Sequence, residues 1–387
     1  MSVNSLRVIH LMFASPNPAI SEFTNVILPR KSQRQLAITH QESSIMKKTF
    51  IALAALATCA GASYAQSSVT IYGRVDLGLV YDSGNANGKS VRISSGVAGG
   101  SRLGFKGNED LGDGYKAGFV LETGYCADSA QTAATNPYCT GSNLFGRQAF
   151  GSLTTPFGAA SAGRQYALTY ANVSTIDPFN AGSAPDAVNL IDNSGVRLNN
   201  SFHYTTPAFF SGLTATGEFA LGETTGNLKA GRETGGSVNY SKGPLLLAAG
   251  ILSVDNANGV GIAKKNVNAG GTYDFGVVKL HALVQRETGH PATGSAVNFL
   301  DILGGATIPL GSGQVMLSYI SKDDRSRLNR DASQLGIGYQ YFLSKRTAIY
   351  TSFARINNRH GATYVVSNAT DTGTGNKSFD LGVGTNF

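Results

Sequence analysis

From Val69 to the last residue, apolar and polar side chains alternate with a period of two over segments of about ten residues, which is the pattern of strands that keep one greasy face. Val69, Ile71, Val75, Leu77, Leu79 and Tyr81 share one side around Gly73, while Thr70, Tyr72, Arg74, Asp76 and Gly78 share the other. Leu335, Ile337, Tyr339, Tyr341 and Leu343 repeat this opposite Gln334, Gly336, Gly338 and Gln340, as do Val315, Leu317 and Tyr319 opposite Gln314 and Ser318. The closing stretch KSFDLGVGTNF is the cleanest: Phe379, Leu381, Val383, Thr385 and Phe387 face one way, and Ser378, Asp380, Gly382, Gly384 and Asn386 the other. No helical period competes. Leu245 to Gly250 (LLLAAG) departs from the rule and reads as continuously apolar.

The breaks between segments alternate in size. Short ones fall at Asn108 to Gly114, Thr155 to Gly158, Ser211-Gly212, Lys242 to Pro244, Leu310 to Gly313 and Ser344 to Arg346. Long ones fall at Cys126 to Gly141, Ala167 to Val196, Gly222 to Gly235, Asp255 to Ala263, Glu287 to Ala296, Lys322 to Arg330 and Asn357 to Asn376. Tight turns on one rim and long loops on the other predict an all-β, transmembrane, antiparallel up-and-down β-barrel of about sixteen strands with a water-filled lumen. Closure is a physical requirement, because every backbone polar group in hydrocarbon must be paired and only a closed sheet pairs them all. Phe and Tyr recur near segment ends, where interfacial aromatics belong, and Trp is absent, so these two would build the girdles alone.

Met46-Lys47-Lys48, the apolar run Phe50 to Ala60 and the small-residue site Ser63-Tyr64-Ala65 form a secretory signal, too short in its apolar core to span a bilayer. The expected organisation is residues 1–45 as a mis-assigned upstream start or extension, 46–65 as the cleaved signal, and 66–387 as the barrel. Residues 1–65 hold six Lys/Arg and two acids, so the remainder has 25 basic and 22 acidic residues, a net +3. A nucleic-acid partner thereby loses its electrostatic support. Cys126 and Cys139 stay in the exported part, bracket a loop-like segment and are candidates for a disulfide, with free thiols as the alternative.

SRLGFKGNEDLG from Ser101, LFGRQAFGSL from Leu144, GRQY from Gly163 and the terminal Phe387 together resemble the general diffusion porins of Gram-negative outer membranes, in particular the betaproteobacterial type. The resemblance runs from about Ser67 to Phe387. It implies a homotrimer of barrels in the outer membrane, among its lipid and lipopolysaccharide. It also implies passive diffusion of small hydrophilic solutes and inorganic anions, a third long loop folded into each lumen, and a terminal Phe387 read by the outer-membrane insertion machinery. Relatives oppose basic side chains on the wall to acids on the inward loop. By motif, the basic wall is Arg74 in YGRVD, Arg102, Arg147 and Arg197, with Arg164 of GRQY as a further member.

Parity independently turns Arg74 and Arg102 away from their strands' apolar residues. The loop is Ala167 to Val196, with Asp177, Asp186 and Asp192 as its acids. Asp177-Pro178-Phe179-Asn180 resembles a Pro-acid-Phe-Gly turn of some relatives, with acid and proline reversed and glycine missing. An excess of wall arginines over loop acids predicts a weak to moderate anion preference. The alternative is that the arginines only pair with Asp76, Glu122 or Glu218 to satisfy the inner face.

Three rival readings compete, of which a secreted soluble sandwich would need a covered second face and gives no reason for the terminal Phe387. An outer-membrane barrel enzyme lacks support, since GxSxG, HExxH, metal-ligand spacing and a P-loop are missing from the exported part. Neither a cofactor nor a metal is expected. His281 follows Lys279 on one strand face and reads as a lumen residue. An adhesin or structural barrel with a plugged lumen is disfavoured by the arginines and the long third loop.

Overall fold

The computed structural model describes residues 68–85, 88–129, 143–192, 194–370 and 373–387. The expected signal segment and Cys139 lie outside these residues. The strands are β1 (Ser68–Asn85), β2 (Gly88–Ser95), β3 (Arg102–Gly112), β4 (Tyr115–Gly124), β5 (Gln148–Thr155), β6 (Gly158–Tyr166), β7 (Arg197–Thr205) and β8 (Leu213–Ala220). They continue as β9 (Glu233–Lys242), β10 (Leu245–Asp255), β11 (Ile262–Asp274), β12 (Lys279–Gly289) and β13 (Val297–Leu310). The last are β14 (Gly313–Asp324), β15 (Ala332–Phe342), β16 (Thr347–Asn358) and β17 (Lys377–Asn386).

Every strand pairs antiparallel with its neighbours, and β17 returns to β1, with Arg74 opposite Asn386 and Ser83 opposite Lys377. The lower part of β1 pairs with β3 and its upper part with β2, so these two short strands share one place in the wall. The seventeen segments therefore make a closed sixteen-strand barrel. Between β2 and β3, residues Gly96 to Gly100 leave the wall and fold inward, where the amide of Ala98 donates to Asp76 at 3.1 Å.

The burial pattern is that of an inside-out protein. On β17, Phe379, Leu381 and Val383 are 40–46% exposed on the outer face while Asp380 is 1% exposed on the inner one. Outward Ile71, Phe202, Val238, Ile302, Leu335 and Ile349 continue the apolar belt, and inward Asn266, Gln285, Asp301, Gln334 and Ser352 are buried. Phe157, Phe209, Phe210, Tyr273, Phe275 and Phe342 lie exposed on the rim of short turns, as an interfacial girdle does. Phe387 closes the last pair, exchanging backbone hydrogen bonds of 3.1 Å with Gly73. A Cβ at Gly73 would stand 2.4 Å from the Phe387 ring, so the glycine is what lets the terminal aromatic lie down there.

Candidate functional site

The long segment after β6 turns into the barrel and begins with a helix, α1 (Leu168–Ile176). Ala167 offers no side-chain cap, and Glu218 of β8 supplies one instead: its Oε2 accepts from the Leu168 amide at 3.0 Å. A carboxylate at a helix N-terminus is favoured by the dipole as well as by the orphan amides. Asn268 of β11 donates to the Thr169 carbonyl at 2.9 Å and accepts from Asn172 at 3.1 Å. At the far end of α1, a ring nitrogen of His281 meets the Ile176 carbonyl at 2.6 Å. The inner wall holds the helix at both ends.

Apolar contact holds it as well. Val173, Ile176, Ala184, Ala187, Leu190 and Ile191 of the loop pack with inward Ala248, Leu283, Leu303, Ile320, Ala354 and Ile356, all nearly inaccessible to solvent. Glycines on the wall give the loop its closeness: a Cβ at Gly305 would stand 2.4 Å from Pro178, and one at Gly336 would stand 2.3 Å from Pro185. A second inward segment, residues 359–370 between β16 and β17, was not foreseen in the sequence. It adds Val366 to the apolar cluster, and the Ser367 amide donates to Asn189 at 2.9 Å.

On the opposite side of the loop lies a cavity of about 390 Å³ lined by Arg74, Arg102, Arg147 and Arg197, by Tyr166 and Tyr170, and by Asp186, Asn180 and Gly99. Four of the five expected arginines thus meet in one space. They are not equivalent. Arg74 donates to Asp76 at 2.6 Å, and Arg147 donates to Glu122 at 2.7 Å. Arg197 donates to the Tyr166 hydroxyl at 2.9 Å and has no carboxylate partner among the described residues. The Arg102 side chain makes neither a hydrogen bond nor an ion pair among the described residues. Arg164 does not line this cavity; it donates to the Gly146 carbonyl at 2.6 Å and to Asn199.

The three loop acids also separate. Asp177 is 3% exposed, with its oxygens taken by the amides of Phe179, Ala181 and Ala187 at 3.0–3.2 Å. It is the clasp of a turn in which Asn180 and Ala181 adopt φ of 55° and 52°, the left-handed region where the missing glycine would have been at ease. Burial raises its pKa to about 6 against the opposing pull of the three amides. Asp186 lines the cavity, caps the short turn Ala187–Asn189 through the Val188 amide at 2.9 Å, and is pushed up to about 8 by burial and then by the Asp177 charge. Asp192 reaches the other way and pairs with Lys264 of β11 at 2.6 Å. Burial opposes its charge, but the Lys264 hydrogen bond and charge outweigh that and leave its pKa below the usual carboxylate value.

Of the acids considered as arginine partners, Asp76 and Glu122 do take that role, whereas Glu218 caps α1 and stands 3.6 Å from His203. Cys126 is disulfide-bonded; Cys139, its expected partner, lies outside the described residues. Tyr166 was missed as a site residue although it ends the quoted GRQY motif. Its hydroxyl accepts from Arg147 and from Arg197, each at 2.9 Å, and its ring stacks on Tyr170 at 5.6 Å. The signal was local: Tyr166 sits opposite Arg197 in the β6–β7 register.

A family model described as Gram-negative porin matches residues 52–361. The chain is 36% identical over 333 residues to outer membrane porin protein 32 of Delftia acidovorans, covering 82% of this chain and 92% of that one. It is 31% identical over 376 residues to an outer membrane porin protein of Bordetella pertussis, covering 79% and 93%. Among solved structures, an anion-selective porin from Comamonas acidovorans superposes with a TM-score of 0.71 at 29% identity, over 83% of this chain and all of that one.

Proposed function

The chain belongs to the Gram-negative porin family and forms an outer-membrane channel for passive diffusion, and we propose that the arginine-lined cavity is its constriction, with a weak to moderate preference for anions. The observation that carries this reading is the imbalance of charge around the cavity. Among the described residues Arg102 and Arg197 face it without a carboxylate in salt-bridge contact, while Asp177 and Asp192 are turned elsewhere and burial pushes the Asp186 pKa up to about 8. Fixed positive charge in a narrow aqueous passage raises the local concentration of anions and lowers that of cations, without any need for tight binding. The anion selectivity of the Comamonas porin, similar in sequence and fold, points the same way.

The reading extends to a homotrimer in lipid and lipopolysaccharide, delivered by the signal at 46–65 and inserted through recognition of Phe387. It assigns no catalysis and no cofactor to the lumen. Reversal potential across a potassium chloride gradient tests the core of it. The wild type should prefer chloride, and Arg102→Gln should lower the chloride-to-potassium permeability ratio roughly two- to threefold, the combined effect on the two ions of one unit charge about 7 Å away in water at about 0.1 M salt, where screening roughly halves its field. A cation-preferring wild type, or an Arg102 variant with an unshifted potential, would end the proposal. Stepwise closing in threes in a planar bilayer would be the mark of the trimer.

A further inference from the structure

We propose that Tyr166 is a hydrogen-bond donor to the passing anion, held in that role by Arg147 and Arg197; the inference rests on the reading of the cavity as the constriction. A phenolic oxygen can accept hydrogen bonds and has one proton to give. Here the accepting side is occupied twice, by Nη2 of Arg147 and by Nη2 of Arg197, each at 2.9 Å. Both of these partners are guanidinium groups, which donate and never accept. The tyrosine's own proton therefore has to point elsewhere, and among the described residues no acceptor receives it. What lies there is the cavity that Tyr166 lines.

The surroundings make that proton a good one to offer. Two cations on the oxygen draw electron density from the O–H bond, and hydrogen bonds in such chains polarise and strengthen one another. The ring cannot swing away easily, because it is stacked on Tyr170 at 5.6 Å with an interplanar angle of 14° and has the Arg197 guanidinium 4.6 Å from its centroid. Arginine charge attracts every anion according to its charge and distance. An O–H donor discriminates further, favouring anions that are strong acceptors over equally charged weak ones. Tyr166 is thus assigned to selectivity among anions, where the arginines set selectivity between anions and cations.

Formate and nitrate separate the two effects, being planar oxyanions of equal charge and similar size that differ in acceptor strength. Bi-ionic reversal potentials in potassium formate and potassium nitrate give their permeability ratio. Tyr166→Phe keeps the ring, the stacking and the packing and removes only the O–H. The formate-to-nitrate ratio should fall roughly two- to threefold, because it registers only the difference between the two anions' bonds to one donor, a fraction of one net hydrogen bond of about 1 kcal/mol. An unchanged ratio in an anion-preferring channel overturns this inference alone. Equal changes for both anions do so as well, since they would mean that Tyr166 merely positions the arginines. A wild type with no anion preference overturns the reading beneath it instead, and is seen before the variant is made.

Discussion

The two halves of the lumen are built on opposite principles. Along β10 to β16 the inner face presents Ala248, Leu283, Leu303, Ile320 and Ile356, and the inward loop lies on them as on the core of a soluble protein. Along β1 to β7 the loop touches the inward Gly96–Gly100 segment, where the Ser183 amide donates to the Val97 carbonyl at 2.7 Å, and arginines and tyrosines line the gap beside that contact. A barrel in lipid needs an apolar outside, but nothing requires its inside to be uniformly polar. Here the apolar part of the inside decides which side of the lumen the loop occupies, and so which side stays open to solutes. The arginines can then line an aqueous gap, because most of the loop's apolar packing lies in the other half.

The comparison is broken most severely by placing a charge in the packed half. Ile176 is fully buried where α1 meets the wall. Ile176→Asp should destabilise docking of the loop by about 3–5 kcal/mol, since it takes a carboxylate out of water into a cluster of apolar side chains. The barrel itself, held by its strand ladder, should still fold. Single-channel conductance should rise and anion preference fall as the loop leaves the lumen; a variant with wild-type conductance would show that the apolar cluster does not hold it.

A smaller effect comes from the open half and needs no mutation. Asp186 is neutral below about 8 and anionic above it, so raising the pH adds one negative charge to a cavity that otherwise carries unpaired arginines. The chloride-to-potassium ratio should therefore fall by roughly twofold between about pH 7 and about pH 9. Asp177 titrates earlier, near 6, enclosed by its three amides, and Tyr170 near 12, so neither accounts for a step in that window. Asp186→Asn should abolish the step, and a step that survives in that variant would assign it to another group.

How much of this was legible in the sequence differs between the same two halves. The strands were, because a period of two is a local property and one face of each meets lipid. The inward parity of Arg74 and Arg102 was legible for the same reason. The packed half was nearly silent: Leu303, Ile320 and Ile356 each put one apolar residue at an inward position, and only the run from Leu245 gave a visible break in alternation. Their partners lie on a loop far away in sequence, and a strand pattern has no way to announce them. Asp177 was misleading for a related reason. Beside Pro178 it looked like the acid of a pore-facing turn, but the amides that enclose it come from Phe179, Ala181 and Ala187, brought together by left-handed residues where glycine was expected.

The pairing of Arg74 was, by contrast, open to inspection, since Asp76 lies two residues along on the same strand face. It yields the mildest test. Removing one positive charge near the pathway changes the field by one unit whether or not that charge is paired, so Arg74→Gln alone would not distinguish a paired arginine from a free one. The double variant Arg74→Gln/Asp76→Asn removes both charges and leaves the net charge as it was. Asn at 76 can still accept from the Ala98 amide and Tyr350, which contact Asp76 at 3.1 and 2.8 Å. The permeability ratio should shift by less than half of the change produced by Arg102→Gln, because a close ion pair is felt at a distance only as a dipole. A shift as large as that of Arg102→Gln would mean that the guanidinium of Arg74 acts on ions directly, and that the open half owes its selectivity to every arginine it holds rather than to the unpaired ones.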